Sequence, residues 1–278
     1  MSSTPDQRKQ LQQLHNVIMS KPPYCSGTVP VEKDDLVVYY SKGEDESAHR
    51  INLGAASAES LEHLAKTCDV ATFGRNDEDV LDESYRKAGK LDSSSFSVKL
   101  DLERSGLLDV IRDHLMEERD LQQDVYAELY KLNVYGEGSF FKAHVDTPRA
   151  TTMFGSLVII YPTPHEGGSL IFRERAKEWT FDSAQAVKTG SEAGPCVAYA
   201  TFFSDAEHEV SRVTSGHRVT VTYNLYFADR AGPNDMPTAS PDSFSDLHVF
   251  RSLLETLLQV GLRTVPLQRS DGRPVSAP

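Results

Sequence analysis

Apolar positions along this chain change period once. Up to about residue 118 they mostly recur every three to four residues; from about Asp124 they alternate or cluster in short runs. Leu11, Leu14, Val17 and Ile18 mark a first helix, with Thr4 as its cap, Pro5 in its first turn and Pro22 and Pro23 at its end. Leu36–Tyr40 and Ile51–Leu53 read as strands. Leu61, Leu64 and Ala65 predict a helix from Ser57 to about Cys68, and Leu107, Leu108, Ile111 and Leu115 another from about Glu103 to Glu118. Residues 74–95 are charged and weakly periodic, which predicts a long loop with a short helix around Val80–Lys87, of the kind that often serves as a lid.

Beyond Asp124 the segments YAELYKLNVY, MFGSLVIIYP, GSLIFRE, EWTFD, CVAYATFF and HRVTVTYNLYF are rich in β-branched and aromatic residues. Clusters of Gly, Pro, Asp and Ser separate them, as in consecutive strands of a sandwich or barrel. The last segment alternates: Val219, Val221, Tyr223 and Leu225 share one face, and Arg218, Thr220, Thr222 and Asn224 the other. Helices followed by strands imply an α+β layout with helices packed outside a β core. The reading is one domain over residues 1–230 with its core at about 124–228, a Pro/Ser/Asp-rich linker at 231–246, and a C-terminal helix with a polar tail at 247–278.

Composition narrows the class of partner. With 29 basic against 41 acidic residues the formal charge is −12, which disfavours a broad nucleic-acid surface. Cys25, Cys68 and Cys196 lie far apart and are odd in number, so they read as reduced thiols of a cytoplasmic or nuclear protein. The polar start and the lack of any apolar run near ~20 residues predict a soluble chain without a membrane span.

The chemistry concentrates in Phe140-Phe141-Lys142-Ala143-His144-Val145-Asp146. On a strand, His144 and Asp146 project to one face while Val145 points away. An imidazole beside a carboxylate is two-thirds of the facial triad of non-haem iron(II) oxygenases. The third candidate, His208 in Glu207-His208-Glu209-Val210, lies 62 residues past Asp146, and Arg218 lies ten residues beyond it. An inward-facing Arg in a β core needs an anion, and a carboxylate matches its fork. His217, as Arg218's neighbour, points to the other face, and His165 reads as a solvated loop residue.

HVD followed by HEV and Gly216-His217-Arg218 resembles the catalytic core of the prolyl 4-hydroxylase-like branch of the 2-oxoglutarate/Fe(II)-dependent dioxygenase superfamily. The resemblance runs from about Val125 to Phe227 and includes Tyr135-Gly136-Glu137-Gly138, Gly167-Gly168-Ser169-Leu170 and Thr201-Phe202-Phe203; Arg212 stands where the family often has Pro. It implies a double-stranded β-helix (jelly-roll) core with packed N-terminal helices. It further implies Fe(II) on His144, Asp146 and His208, with O2 as co-substrate. The distal carboxylate of 2-oxoglutarate would lie on Arg218, with Tyr135, Tyr161 and Thr220 lining its pocket. The implied reaction is hydroxylation of an unactivated C–H bond on a prolyl or other protein side chain, releasing succinate and CO2. Two other readings stand beside it: a small-molecule oxygenase of specialised metabolism, and a non-catalytic jelly-roll binding module. Arg218 is followed six residues later by Asn224, not the second Arg of the nucleic-acid-demethylating branch.

Overall fold

A computed structural model describes residues 22–41, 47–75, 78–115 and 124–228. The helices expected before Pro22 and after residue 246, and the 231–246 linker, lie outside the described residues.

The first half contains β1 (Tyr24–Pro30), β2 (Val37–Tyr40), β3 (His49–Asn52), α1 (Ala58–Thr67), β4 (Asp69–Val70), β5 (Phe73–Arg75), β6 (Glu78–Val80), β7 (Arg86–Lys87), β8 (Gly89–Asp92), β9 (Phe96–Val98) and α2 (Leu107–Leu115). Ser57 caps α1 by accepting the Ser60 amide. The 74–95 segment is not the loop and helix its weak periodicity suggested: it forms parts or all of four short strands, from β5 to β8. Their residues answer to cross-strand neighbours, which a local pattern does not register.

The second half contains β10 (Asp124–Tyr135), β11 (Phe140–His144), β12 (Met153–Ile160), β13 (His165–Gly167), β14 (Leu170–Glu174), β15 (Lys177–Phe181), α3 (Ser183–Ala193), β16 (Cys196–Phe203), β17 (Glu207–Val210), β18 (Val213–Gly216) and β19 (Arg218–Ala228). One sheet has the order β1-β16-β12-β19-β10-β8-β4 and the other β15-β14-β17-β11-β7. Eight strands (β10, β11, β12, β14, β15, β16, β17 and β19) therefore pass between two antiparallel four-stranded layers, which is jelly-roll topology.

The larger sheet is buried on both faces. Its outer side carries Leu157, Ile159, Val219, Val221 and Leu225 against Leu61 and Leu64 of α1 and Leu107 and Ile111 of α2. The core between the sheets is smaller and more aromatic, with Tyr135, Phe141, Phe172 and Phe202. α3, which the sequence pattern did not suggest, packs Val187 on Ile160 and Ala198. Among the described residues no helix is long and apolar enough to cross a membrane.

Candidate metal centre and co-substrate cavity

β11 and β17 are adjacent antiparallel strands whose register sets His144 directly opposite His208. Between Phe141 and His144 the register slips, three residues of β11 matching two of β17. Residues an odd number apart on a regular strand face opposite sides. The bulge lets both Phe141 and His144 line the cavity, with their rings stacked at 3.5 Å. Tyr85 clamps this irregular stretch: its carbonyl accepts the Lys142 amide at 3.0 Å, and its hydroxyl donates to the Ala143 carbonyl at 2.7 Å.

Asp146 is placed differently from the expectation that it shares a strand with His144. β11 ends at His144, and Asp146 lies in the following loop. Two tertiary bonds position it: its amide donates to the Ser204 carbonyl at 3.0 Å, and Ser156 Oγ donates to its Oδ2 at 2.5 Å. Its other oxygen, Oδ1, lies 4.0 Å from His144 Nε2 and 3.8 Å from His208 Nε2. One ligand atom from each of the three residues lies within 4.8 Å of the others.

The orientation of both imidazoles follows from their backbones. His144 Nδ1 lies 2.8 Å from the Lys142 carbonyl and His208 Nδ1 lies 2.9 Å from the Ala206 carbonyl. A carbonyl only accepts, so each Nδ1 carries the proton and each Nε2 presents its lone pair to the shared space. Burial, reinforced by the neighbouring His208 and opposed by Asp146, pushes the His144 imidazole down to about 3. Neutral imidazole is the metal-binding form. Two imidazole nitrogens and a carboxylate oxygen facing one cavity fit a ferrous ion with positions left open for co-substrate and oxygen.

The cavity measures about 470 Å³ and continues from the triad to Arg218. Arg218 is 1% exposed, and its Nε donates to Ser183 Oγ at 3.3 Å. Among the described residues its Nη2 has no hydrogen-bond partner, and its guanidinium lies 5.4 Å from the centre of the Tyr135 ring. Among the described residues no carboxylate pairs with it, and burial pushes it down to about 10. It therefore stays charged at neutral pH with its charge uncompensated, a costly arrangement unless an anion arrives. Gly168 has φ +68°, and a Cβ there would meet Arg218 Cδ at 2.6 Å, so the Gly167-Gly168 pair leaves room for the guanidinium stem.

The cavity brings together His144, Asp146, His208, Arg218, Tyr135 and Thr220. Tyr161 does not belong there. It follows β12 in phase with Leu157 and Ile159 and is wholly buried in the outer cluster under the helices, its hydroxyl without a hydrogen-bond partner among the described residues. His217 faces away as alternation requires, its Nε2 3.5 Å from Glu62 of α1. His165 is not a solvated loop residue: it is half-buried in β13, with Nδ1 on the Thr163 carbonyl. Cys25, Cys68 and Cys196 form no disulfide among the described residues, the first two being half-buried and the third buried.

Ser156, Ser183 and Arg86 are site residues that sequence reasoning missed. Ser156 carried a signal, as a lone hydroxyl in the apolar run of β12. Ser183 opens a helix that the pattern did not reveal, and Arg86 sits in the segment read as a loop.

Residues 130–226 match the family model described as the 2OG-Fe(II) oxygenase superfamily. No curated protein matches the chain. Among solved structures it is similar to a Pseudomonas putida prolyl-4-hydroxylase, at 16% identity over 77% of this chain and 99% of that one, with a TM-score of 0.43. A prolyl hydroxylase from Trichoplax adhaerens, in complex with a hypoxia inducible factor oxygen degradation domain peptide fragment, aligns at 14% identity over 81% of this chain and 94% of that one (TM-score 0.41). A 2OG-Fe(II) oxygenase family oxidoreductase from Burkholderia pseudomallei aligns at 11% identity over 82% and 84%, with a TM-score of 0.33.

Proposed function

We propose that this chain, whose residues 130–226 match the 2OG-Fe(II) oxygenase superfamily model, uses Fe(II), 2-oxoglutarate and O2 to hydroxylate an unactivated C–H bond of a protein side chain, prolyl among them, and releases succinate and CO2. The observation that carries the reading is a buried guanidinium with an unpartnered Nη2, facing the same cavity as two Nε2 lone pairs and a carboxylate oxygen. Bound iron and 2-oxoglutarate supply the oxidising chemistry, coupling O2 activation to decarboxylation of the co-substrate.

The chain's own residues bind, orient and exclude. His144, Asp146 and His208 would hold the metal, with Lys142, Ala206 and Ser156 fixing the direction of each ligand. Arg218 would take the distal carboxylate, its fork steered by Ser183 and its far side closed by Tyr135 and Thr220. Phe141, Phe202 and Val210 wall the space around the ligands and keep water from the reacting centre. At the other end the cavity reaches Val145, 53% exposed, and Arg149, an opening that suits a substrate approaching from the surface.

The direct test is succinate release by the full chain with Fe(II) and 2-oxoglutarate, screened over proline-containing peptides and small organic substrates. Turnover that requires both iron and 2-oxoglutarate is the expected result. Absence of turnover, together with no binding of 2-oxoglutarate to the metal-loaded protein, would overturn the proposal.

A further inference from the structure

The outer half of the cavity holds two buried cations that neither iron nor 2-oxoglutarate accounts for. Arg86 is 7% exposed and lines the cavity. Its Nη1 donates to the Thr72 carbonyl and its Nη2 to Asn133 Oδ1, both at 2.7 Å and both neutral acceptors. Among the described residues its Nε has no partner, and neither does the buried hydroxyl of Thr72. Lys131 is 9% exposed, with Nζ 4.6 Å from the centre of the Tyr130 ring. No carboxylate among the described residues forms an ion pair with either. Burying two such charges is costly unless a counter-charge joins them.

The strand register separates Lys131 from the co-substrate position, with Asn133, the partner of Arg86, between the two levels. Across β10 and β19, Tyr135 faces Arg218, Asn133 faces Thr220 and Lys131 faces Thr222. Four residues of antiparallel strand put Lys131 roughly 13 Å along the sheet from the level of Arg218. A carboxylate held by Arg218 is therefore not the one that Lys131 meets. Charge balance agrees. The described lining contains Arg86, Lys131, Arg149 and Arg218 against only Asp82 and Asp146. A ferrous ion and a 2-oxoglutarate dianion cancel, so the positive surplus persists in the loaded site, within a chain of net charge −12.

We infer that the primary substrate presents a carboxylate to Arg86 and Lys131, in the outer half of the cavity. This rests on the inner half being the iron and 2-oxoglutarate site. Arg86 has already spent part of its fork on Thr72 and Asn133. The planar edge left at Nε suits a carboxylate, with Lys131 as the second, movable donor. The carboxylate belongs either to an acidic residue near the hydroxylated position of a peptide or to a small organic acid.

The experiment uses the full chain with Fe(II) and 2-oxoglutarate, and Mn(II) in place of iron for binding. One arm pairs proline-containing peptides bearing Glu or Asp with their Gln or Asn counterparts. The other pairs aliphatic and aromatic carboxylic acids with their primary amides, and a phosphoserine peptide serves as a different anion. Succinate release and broadening of probe proton signals by Mn(II) are both read. An acid should exceed its amide about tenfold or more in one arm, which also identifies the source. Lys131→Gln should collapse that ratio and Lys131→Arg restore it. Equal response to acid and amide, a ratio untouched in Lys131→Gln, or a stronger response to the phosphopeptide would overturn the inference while leaving the iron site standing. No 2-oxoglutarate binding and no succinate from the unmodified chain would remove both.

Discussion

Replacing Arg218 by Met separates the guanidinium's cost from its use. In the ligand-free protein the charge is fully buried, and no carboxylate among the described residues pairs with it. Its fall from the ordinary guanidinium range to about 10 corresponds to roughly 3 kcal/mol of unfavourable burial. The sign follows from linkage. A folded value below the unfolded one means that folding disfavours the protonated group, and the penalty is present at every pH below about 10. Met retains much of the apolar stem and removes the charge. The ligand-free variant should therefore melt no lower than the parent, against the usual result for a wholly buried site. The affinity change runs the other way. Truncating one partner of a buried charge pair costs about 2–5 kcal/mol, so the 2-oxoglutarate requirement should rise roughly 30-fold to a few thousandfold. The assay is succinate release against 2-oxoglutarate concentration, beside thermal melts with and without 2-oxoglutarate. The ligand should raise the parent's melting temperature by mass action and leave the variant's unmoved at the same concentration. An unaltered 2-oxoglutarate requirement would refute the role given to Arg218. A variant that melts well below the parent would refute the claim that its charge is buried at a loss.

The remaining expectations are simpler. His144→Ala and Asp146→Ala should abolish succinate release while circular dichroism shows a retained fold; turnover at the parental rate would exclude the triad. Ser156→Ala frees Asp146 Oδ2 and should weaken metal binding by about 10–100-fold in an Mn(II) titration, with Ser156→Thr partly restoring it. Gly168→Ala must strain a positive φ and push on Arg218 Cδ, so chemical denaturation should register a loss of about 1–3 kcal/mol together with a higher 2-oxoglutarate requirement. Ser183→Ala removes the hydroxyl that accepts from Arg218 Nε and should raise the KM for 2-oxoglutarate severalfold with little change in kcat.

Much of the fold was legible because the strands after Asp124 are two-faced, and a period of two can be read without tertiary knowledge. β19 is the clearest case: Val219, Val221, Tyr223 and Leu225 enter the outer core, while Arg218, Thr220, Thr222 and Asn224 line the cavity. The same alternation correctly turned His217 away from the metal. Lys131, Asn133 and Tyr135 of the adjacent β10 extend the same wall of the cavity. The 74–95 segment resisted reading because strands of two to four residues are too short to display a period.

The sequence alone determined the candidate ligand types, their order, and the face of β19 that carries the cation, because each is a local property of a covalent run. Only the tertiary structure decided how those residues meet. A bulge in β11 turns His144 toward the cavity beside Phe141, and Asp146, beyond the end of that strand, is oriented by Ser156 and by the Ser204 carbonyl. Tyr161, one residue past β12, belongs to the outer core. Arg86 and Lys131, about 45 residues apart in the chain, line one cavity. Hydrogen bonds and strand register between distant residues set these positions, and no periodicity within one segment encodes them.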